Sequence, residues 1–197
     1  QNVALGFRAL EQNTTAMHNT ALGHEALKLN TTGSENVAVG ANALDSNTTS
    51  AENVAVGYLA LEANTTGNYN TAVGARSLDA NTTGSYNVAV GRVSLSAATT
   101  GANNVAVGHQ ALGSGVVTGN NNIAIGYQAL DANTSGAQNI GIGYQALDAN
   151  TTGLNNVAIG ANALGSATTA DTNTALGHSA ATALTTGYDN VAIGALA

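Results

Sequence analysis

The sequence predicts an all-β fold, a parallel β-solenoid or β-roll in which about twelve coils of 17 residues stack into one rod. The first observation behind this prediction is a pentad, Asn-(Val/Thr/Ile)-(Ala/Gly)-(Val/Leu/Ile)-Gly, that recurs twelve times at a nearly constant spacing. The second is that branched apolar residues alternate with small ones inside each pentad, which is typical of a β-strand. The third is the recurrence of glycine and β-branched residues every few positions, which disfavours a helix.

The repeat keeps one frame along the chain. Written with its asparagine as position 1, it reads N-V-A-V-G-x-x-A-L-D-x-N-T-T-G-x-x, and each copy is predicted to form one coil. Successive copies begin 17 residues apart, except for a step of 18 between the seventh and the eighth. We therefore predict a single repeat domain, residues 1–197, with copies beginning at residues 2, 19, 36, 53, 70, 87, 104, 122, 139, 156, 173 and 190.

Each coil is predicted to hold two short strands and two turns. In the fourth copy, Val54 and Val56 form one face of a strand, while the small residues between them form a second face, and both faces are expected to be buried. Leu61 has the opposite parity, so the chain must turn between the two strands, and Gly57 is the predicted corner. The Asn-Thr-Thr-Gly stretch is the second predicted turn, with positive φ angles at its asparagine and glycine.

Two columns of identical residues are predicted to carry the structure. Stacked coils lie about 4.8 Å apart, so twelve of them form a rod of roughly 55 Å. The position-1 asparagines would then form a ladder of amide hydrogen bonds, and the position-5 glycines would form a corner that excludes any side chain. The structural residues predicted on this basis are Asn2, Asn19, Asn36, Asn53, Asn70, Asn87, Asn104, Asn122, Gly6, Gly23, Gly40, Gly57, Gly74, Gly91, Gly108 and Gly126.

The seventh copy departs from the consensus after Leu112 and contains the extra residue. A solenoid tolerates an insertion when it bulges at an outer turn. We therefore expect an outward loop in this coil, with the asparagine column back in register at Asn122.

Composition excludes several partners. The chain has 4 Lys and Arg against 11 Asp and Glu, a net charge of -7, which disfavours nucleic acid and anionic membrane surfaces. No apolar run approaches the ~20 residues of a membrane span, so no membrane insertion is expected in this segment. There is no cysteine for disulfides or thiolate metal sites.

One coil by itself buries little apolar surface. Each coil offers about three large apolar side chains, such as Val54, Val56 and Leu61, against the backbone entropy of 17 ordered residues. Oligomerisation would supply the missing burial. We expect a parallel homotrimer in register, in which small residues such as Ala55 and Gly57 let neighbouring chains approach closely.

The pentads N-V-A-V-G, N-T-A-L-G and N-V-A-I-G resemble the head repeats of trimeric autotransporter adhesins, the YadA-like head family. Similar repeats occur in the shafts of bacteriophage tail fibres and in environmental fibre proteins. The resemblance covers residues 2–197, although the Asn-Thr-Thr-Gly insert makes this repeat longer than the usual head repeat. It implies a left-handed parallel β-roll, three chains around one axis, and an extracellular role in adhesion, on a cell surface or in a virion fibre.

Two columns contain candidate metal ligands. Acids recur at position 10, where like charges on adjacent coils repel each other. Such a column either binds cations or forms a solvated, charged surface. Its members are Glu11, Asp45, Glu62, Asp79, Asp131 and Asp148. The position-6 histidines lie four or five coils apart, so they could meet a metal only where three chains bring copies of one histidine to an axis; they are His24, His109 and His178. No metal or cofactor site is predicted.

Other motifs have structural explanations. Gly141-Ile142-Gly143-Tyr144-Gln145-Ala146 matches a dinucleotide-binding fingerprint, but no βαβ unit surrounds it. Asparagines that begin N-x-Ser/Thr sequons are possible glycosylation sites, or turn formers: Asn13, Asn30, Asn47, Asn64, Asn81, Asn133 and Asn150. Exposed threonine columns, which begin at Thr14 and Thr15, raise ice binding as a further alternative.

No arrangement of nucleophile and base is visible, so no catalytic residue and no enzyme activity is predicted. The expected function is a non-enzymatic extracellular structural or adhesive fibre that spaces or presents a binding surface. Its partners would be other copies of the chain and a host-surface receptor or glycan. The alternatives are a free extracellular filament, glycosylated at the Asn-Thr-Thr turns, and an ice-binding threonine array.

Overall fold

The computed structural model describes all 197 residues and consists of strands, turns and bends without any helix. No segment therefore has the long apolar helix that crosses a membrane. One three-residue strand occupies positions 2–4 of each repeat. The strands are β1 (Val3–Leu5), β2 (Thr20–Leu22), β3 (Val37–Val39), β4 (Val54–Val56), β5 (Thr71–Val73), β6 (Val88–Val90), β7 (Val105–Val107), β8 (Ile123–Ile125), β9 (Ile140–Ile142), β10 (Val157–Ile159), β11 (Thr174–Leu176) and β12 (Val191–Ile193).

The twelve strands form a single parallel sheet in sequence order, β1 to β12. Each strand pairs with the strand of the next coil without a shift, so that position 2 faces position 2, as in the pairing of Val54 with Thr71. This arrangement is a β-solenoid, and it confirms the fold class and the 17-residue coil predicted from the repeat.

The prediction of two strands per coil was wrong. Of 127 backbone hydrogen bonds, only 22 lie within the strands, and the other 105 join turns and irregular segments. Many of these 105 bonds still run along the rod, for example from Leu27 N to Ala43 O at 3.0 Å. Each coil is therefore hydrogen-bonded to its neighbours around most of its circumference, although only the pentad has extended β geometry.

Left-handed residues bend the chain into a closed coil. Positions 7, 9 and 17 have positive φ in nearly every repeat, as shown by Leu59 (57°), Leu61 (53°) and Tyr69 (59°) in the fourth repeat. Such residues cost about 1–2 kcal/mol each and persist because the surrounding hydrogen bonds fix them. The Asn-Thr-Thr-Gly turn contains no positive φ, contrary to the prediction. The reversal comes instead at the leucines and at position 17.

The pentad strand is oriented with its small residue inside. Ala55 is fully buried, whereas Val54 and Val56 on either side are half-buried and point outward. The core is a column of 30 buried residues, almost all of them the leucines of position 9 and the alanines of positions 3 and 8. The prediction that Ala55 would face a neighbouring chain is thus wrong, because a 17-residue coil has room inside only for a methyl group at this position.

The predicted asparagine ladder is confirmed at position 1, with a backbone partner. The Oδ1 atom of each asparagine accepts the backbone N–H of the next asparagine at all eleven steps, as from Asn36 N to Asn19 Oδ1 at 2.8 Å. In ten of the twelve coils the Nδ2 atom donates across the coil to the carbonyl of position 15, as from Asn19 to Gly33 O at 2.9 Å. In these coils the amide therefore braces its own coil and aligns the next.

A second asparagine ladder runs inside the rod at position 12. Asn47 donates to Asn30 Oδ1 at 2.8 Å, and Asn81 donates to Asn64 Oδ1 at the same distance. This ladder stops where the next coil has alanine, above Asn81 and above Asn150. The buried Oδ1 atoms of both residues have no donor. Ala98 and Ala167 in the next coils supply no amide, which explains these two unpaired atoms.

The insertion in the seventh repeat leaves the strand columns unbroken, as predicted. Strand β7 pairs with β8 in the usual register, and Asn122 N donates to Asn104 Oδ1 at 2.9 Å. Ser114 and Val116 of the altered turn are exposed. Val117 turns inward and joins the core in this coil, which lacks a position-12 asparagine.

The glycine of position 5 is required by its conformation and by its surroundings. Gly91 has φ +133°, and a Cβ atom there would lie 2.5 Å from Gly108 O and 2.7 Å from Gly108 C. These neighbours are backbone atoms of the next coil and cannot move aside. The prediction that this corner excludes any side chain is confirmed.

We expect Gly91→Ala to lower the free energy of unfolding by at least about 3 kcal/mol per chain, because it combines a forbidden φ with a backbone clash. The matched control is Gly141→Ala, which restores the alanine found at position 3 in the other coils. Gly141 has no positive φ, and its nearest neighbour would be Ala146 O at 3.1 Å. We expect the free energy of unfolding of this control to lie within about 1 kcal/mol of that of the parent. Equal melting of both variants in thermal denaturation would contradict the corner geometry.

We expect Asn104→Ala to cost about 2–4 kcal/mol, because it leaves the buried N–H of Asn122 and the carbonyl of Gly119 without their partners. Asn190→Ala makes the same change in the last coil, where the side chain is exposed. It should cost less than about 1 kcal/mol. Chemical denaturation of both variants measures the difference, and a cost at Asn104 no larger than that at Asn190 would refute the role of the ladder.

Candidate functional site

The outward positions of the coil carry its chemical variety. Positions 1, 3, 5, 8 and 9 hardly vary because they form the interior and the corner. Positions 6, 7, 10 and 17 contain six of the seven aromatic residues and nearly all of the charges. Because the coils are in register, each outward position forms a straight column along the rod.

Position 6 forms a column of stacked rings. His109 stacks on Tyr127 with ring centroids 5.5 Å apart, and Tyr127 stacks on Tyr144 at 5.4 Å, with the planes within 12° of parallel. Below this stack, Arg92 Nη1 lies 3.1 Å from His109 Nε2. A second stack joins Phe7 and His24 at 5.4 Å near the start of the rod. All of these rings except His109 are exposed.

Position 17 contains a third stack. The rings of Tyr69 and Tyr86 lie 4.9 Å apart and 9° from parallel. A hydrogen bond from Tyr69 to the carboxylate of Glu52, one coil away, raises the pKa of the Tyr69 phenol. These stacks were not predicted from the sequence. The available signal was the recurrence of aromatic residues at one repeat position, such as Tyr127 and Tyr144 17 residues apart.

The position-10 acids form a column that is only partly solvated. Asp45, Glu62 and Asp79 lie on three successive coils, and all three are half-buried. One carboxylate oxygen of Asp45 and one of Asp131 are buried without a hydrogen-bond donor. Arg76 neutralises Asp79 through a 2.9 Å contact from its Nε atom. Of the two alternatives for these acids, the solvated surface is therefore met only in part, and no group of three metal-ligating side chains is brought together.

Burial and mutual repulsion disfavour ionisation in this column. Burial raises the pKa of Asp45 and of Asp148. It also raises the pKa of Glu62, to which the neighbouring Asp45 and Asp79 carboxylates contribute. Glu25 is the opposite case, since its hydrogen bond with Lys28 at 3.1 Å lowers the pKa of Glu25.

The three position-6 histidines remain apart within one chain. His24 and His109 each stack on another ring, and His178 is exposed without an aromatic neighbour. Gly143 of the fingerprint-like stretch is a position-5 corner with φ +136° that leads into a turn. No helix follows it, so the phosphate site of that fingerprint is not formed.

The sequon asparagines are interior residues. Six are completely buried and Asn13 is half-buried, because they form the position-12 ladder. Asn64 Nδ2, for example, donates to Gly67 O at 3.0 Å inside the coil. A glycan attached at this nitrogen would have to pass through the wall of the coil. Glycosylation of Asn30, Asn47, Asn64, Asn81, Asn133 and Asn150 is therefore incompatible with the folded chain, whereas Asn13 in the first coil keeps part of its surface in solvent. The motif acts as a turn and ladder element.

The threonine columns differ from each other. Position-13 hydroxyls donate to the carbonyl of the next coil, as from Thr65 to Thr82 O at 2.9 Å, and are half-buried. Position-14 threonines are exposed in the first six coils, from Thr15 to Thr100.

The concave cavity of the chain lies at the last coil, lined by Leu184, Val191 and Leu196, where the interior opens at the end of the rod.

We expect the melting temperature to rise as the pH falls from 7 toward the ordinary carboxyl range of about 4.5. Raised pKa values at Asp45, Glu62 and Asp148 mean that the folded state binds protons more tightly than the unfolded state, so this stabilisation is lost as the pH rises through the folded-state pKa. The lowered pKa of Glu25 acts in the opposite direction, but it is one group against three.

Glu62→Gln should raise the melting temperature at neutral pH and flatten this dependence. Glu35→Gln is the matched control, since it removes the same charge from an exposed position outside the column. Melting curves across this pH range provide the measurement. Parallel profiles for the two variants would show that the acidic column does not carry the effect.

No family model, curated protein or solved structure matches this chain. Its function has to be inferred from the geometry of its own residues.

Proposed function

We propose that this chain is a segment of a non-enzymatic extracellular fibre, built as a parallel homotrimer that spaces or presents an adhesive surface. The observation that supports it best is an apolar stripe formed by the outward residues of β1–β12, at positions 2 and 4. None of its 24 members is charged, and 21 are Val, Ile or Leu. The stripe runs without interruption through all twelve coils.

The stripe leaves a continuous apolar surface in water on an isolated rod. Even in inner coils, Leu22, Ile125 and Leu176 keep 43%, 38% and 45% of their surface exposed. Twelve coils at about 4.8 Å give a stripe of about 55 Å by 7 Å, comparable with the largest apolar patch on a typical monomeric protein, which is often a functional surface. Burying it would supply the stabilisation that the alanine-rich interior lacks.

A second and third copy of the same chain fit this stripe best. Every chain repeats the same two columns at the same axial spacing, so parallel copies in register place like residues at each level. The stripe is only two side chains wide, and three such stripes around an axis enclose one another on both flanks. This assembly replaces the expected contact through Ala55 and Gly57 with one through Val54 and Val56.

We expect the native chain to have a mass of about 58 kDa, three times 19.3 kDa, in light scattering. Val90→Lys places a charge in the middle of the stripe and should abolish the trimer. Thr100→Lys places the same charge in the same coil at an exposed threonine, and should leave the trimer intact. A stable, folded parent monomer of 19.3 kDa would overturn the proposed assembly.

Ice binding is a second candidate, favoured by the unbroken run of exposed position-14 threonines in the first six coils, at one coil spacing. Against it, the position-13 hydroxyls are already bonded to the backbone, so only one column has free hydroxyls. Thermal hysteresis of the purified protein separates the two functions. The fibre proposal expects none, and a clear freezing gap would favour the threonine array.

A further inference from the structure

The column of rings at position 6 is interrupted twice by a single alanine. Ala41 lies between the coils of His24 and Tyr58, and we name this place the Ala41 gap. Ala161 lies in the same way between Tyr144 and His178, and we name this place the Ala161 gap. In both gaps the column lacks one ring.

The gaps have the size of one ring. Rings on adjacent coils in this protein stack with centroids 4.9–5.5 Å apart. Two coil steps therefore separate the rings on either side of an alanine by about 10–11 Å, twice the stacking distance. A ring placed midway would lie about as far from each neighbour as the rings of the protein lie from one another.

One wall of each gap is a free aromatic face. Tyr144 is covered on one face by Tyr127, so its other face points along the rod toward Ala161, and 51% of the residue is exposed. His24 is likewise covered on one side by Phe7 and open toward Ala41. The floor of each gap is a methyl group, which cannot cover these faces.

Polar side chains flank both gaps in the same way. Position 7 is asparagine in both alanine coils, Asn42 and Asn162. Asn42 Nδ2 lies 3.4 Å from Glu25 Oε2, and both side chains are half-buried at the wall of the coil. Next to the Ala161 gap, Gln145 donates to Gln128 at 3.0 Å and forms a short amide ladder.

We propose that each gap binds one pyranose ring of a neutral oligosaccharide, inserted between two members of the ring column. The C–H faces of the sugar would pack on the aromatic faces, and its equatorial hydroxyls would point toward the flanking amides and solvent. The net charge of -7 opposes anionic sugars, which restricts the ligand to neutral ones. This inference deepens the proposed adhesive function, but it does not need the trimer, because one chain forms each gap.

The two gaps lie seven coils apart, in the third and the tenth coil, which is about 34 Å along the rod. Each is a shallow notch with a weak affinity of its own. A surface that displays many glycans would engage both gaps at once, and the trimer would multiply the number of contacts.

Saturation-transfer NMR and titration with cellohexaose and mannohexaose test the proposal. We expect the parent chain to bind at least one of these saccharides. The double variant Ala41→Tyr, Ala161→Tyr fills both gaps with the residue that the column already stacks at Tyr127 and Tyr144. It should fold and lose at least about tenfold in affinity.

Ala75→Tyr is the matched control, because Ala75 is also at position 6 but has Arg92 rather than a ring on its far side. This variant should bind like the parent. The proposal is overturned if the filled variant binds the saccharides as well as the parent does, or if the parent binds neither saccharide.

The oligomeric state of the same samples separates this inference from the assembly. A trimeric parent that binds neither saccharide would overturn the ring-gap proposal alone. A monomeric parent that binds a saccharide, together with a double variant that does not, would support saccharide binding in the gaps and overturn the proposed trimer.

Discussion

The hydrogen bond from each position-1 backbone N–H to the asparagine Oδ1 of the preceding coil is the interaction on which the structure depends. It repeats at eleven successive steps, and at all but the first and the last step it lies inside the rod, away from competing water. The amide of the same asparagine reaches the opposite wall of its coil. One side chain therefore sets both the height of the next coil and the width of its own. Any other residue at this position would have to accept a hydrogen bond along the rod axis and donate another one across the coil.

This spacing dictates the other invariant positions. Coils held at a backbone hydrogen-bonding distance leave no space for a Cβ atom at the corner, where Gly57 faces the backbone of Gly74. The interior is so narrow that methyl groups, one leucine per coil and the two asparagine ladders fill it. The leucine enters the interior only because its backbone adopts a left-handed conformation, as at Leu61. Strain at three positions per coil is thus the consequence of closing so short a coil.

The functional surfaces follow from the same register. Any residue repeated at one position becomes a column, so a valine column becomes an apolar stripe and a tyrosine column becomes a stack. Acids on successive coils are held together in half-buried positions, so burial, and after it the neighbouring carboxylates, raises the pKa of Glu62. Specific recognition then arises where a column changes, because a small residue between two large ones leaves a notch of defined size. In such a rod, substitutions in outward columns change binding while the interior remains the same.

The sequence by itself determined the coil length, the parallel register, the asparagine ladder at position 1 and the glycine corner. These features depend on identities such as Asn53 and Gly57 that recur at a fixed period, and periodic stacking converts such recurrence directly into contacts. The direction in which each side chain points was decided only by the tertiary structure. Ala55 lies inside and Val56 outside because the closed coil has a small interior volume, a quantity that alternation along a strand does not contain. Side-chain direction also decides the role of the Asn-Thr-Thr motif. Its sequence matches a glycosylation site, but in the folded chain its asparagines point inward and form the second ladder. The stacks and gaps at position 6 likewise required the register in three dimensions, since an alanine becomes a binding notch only when rings lie directly above and below it.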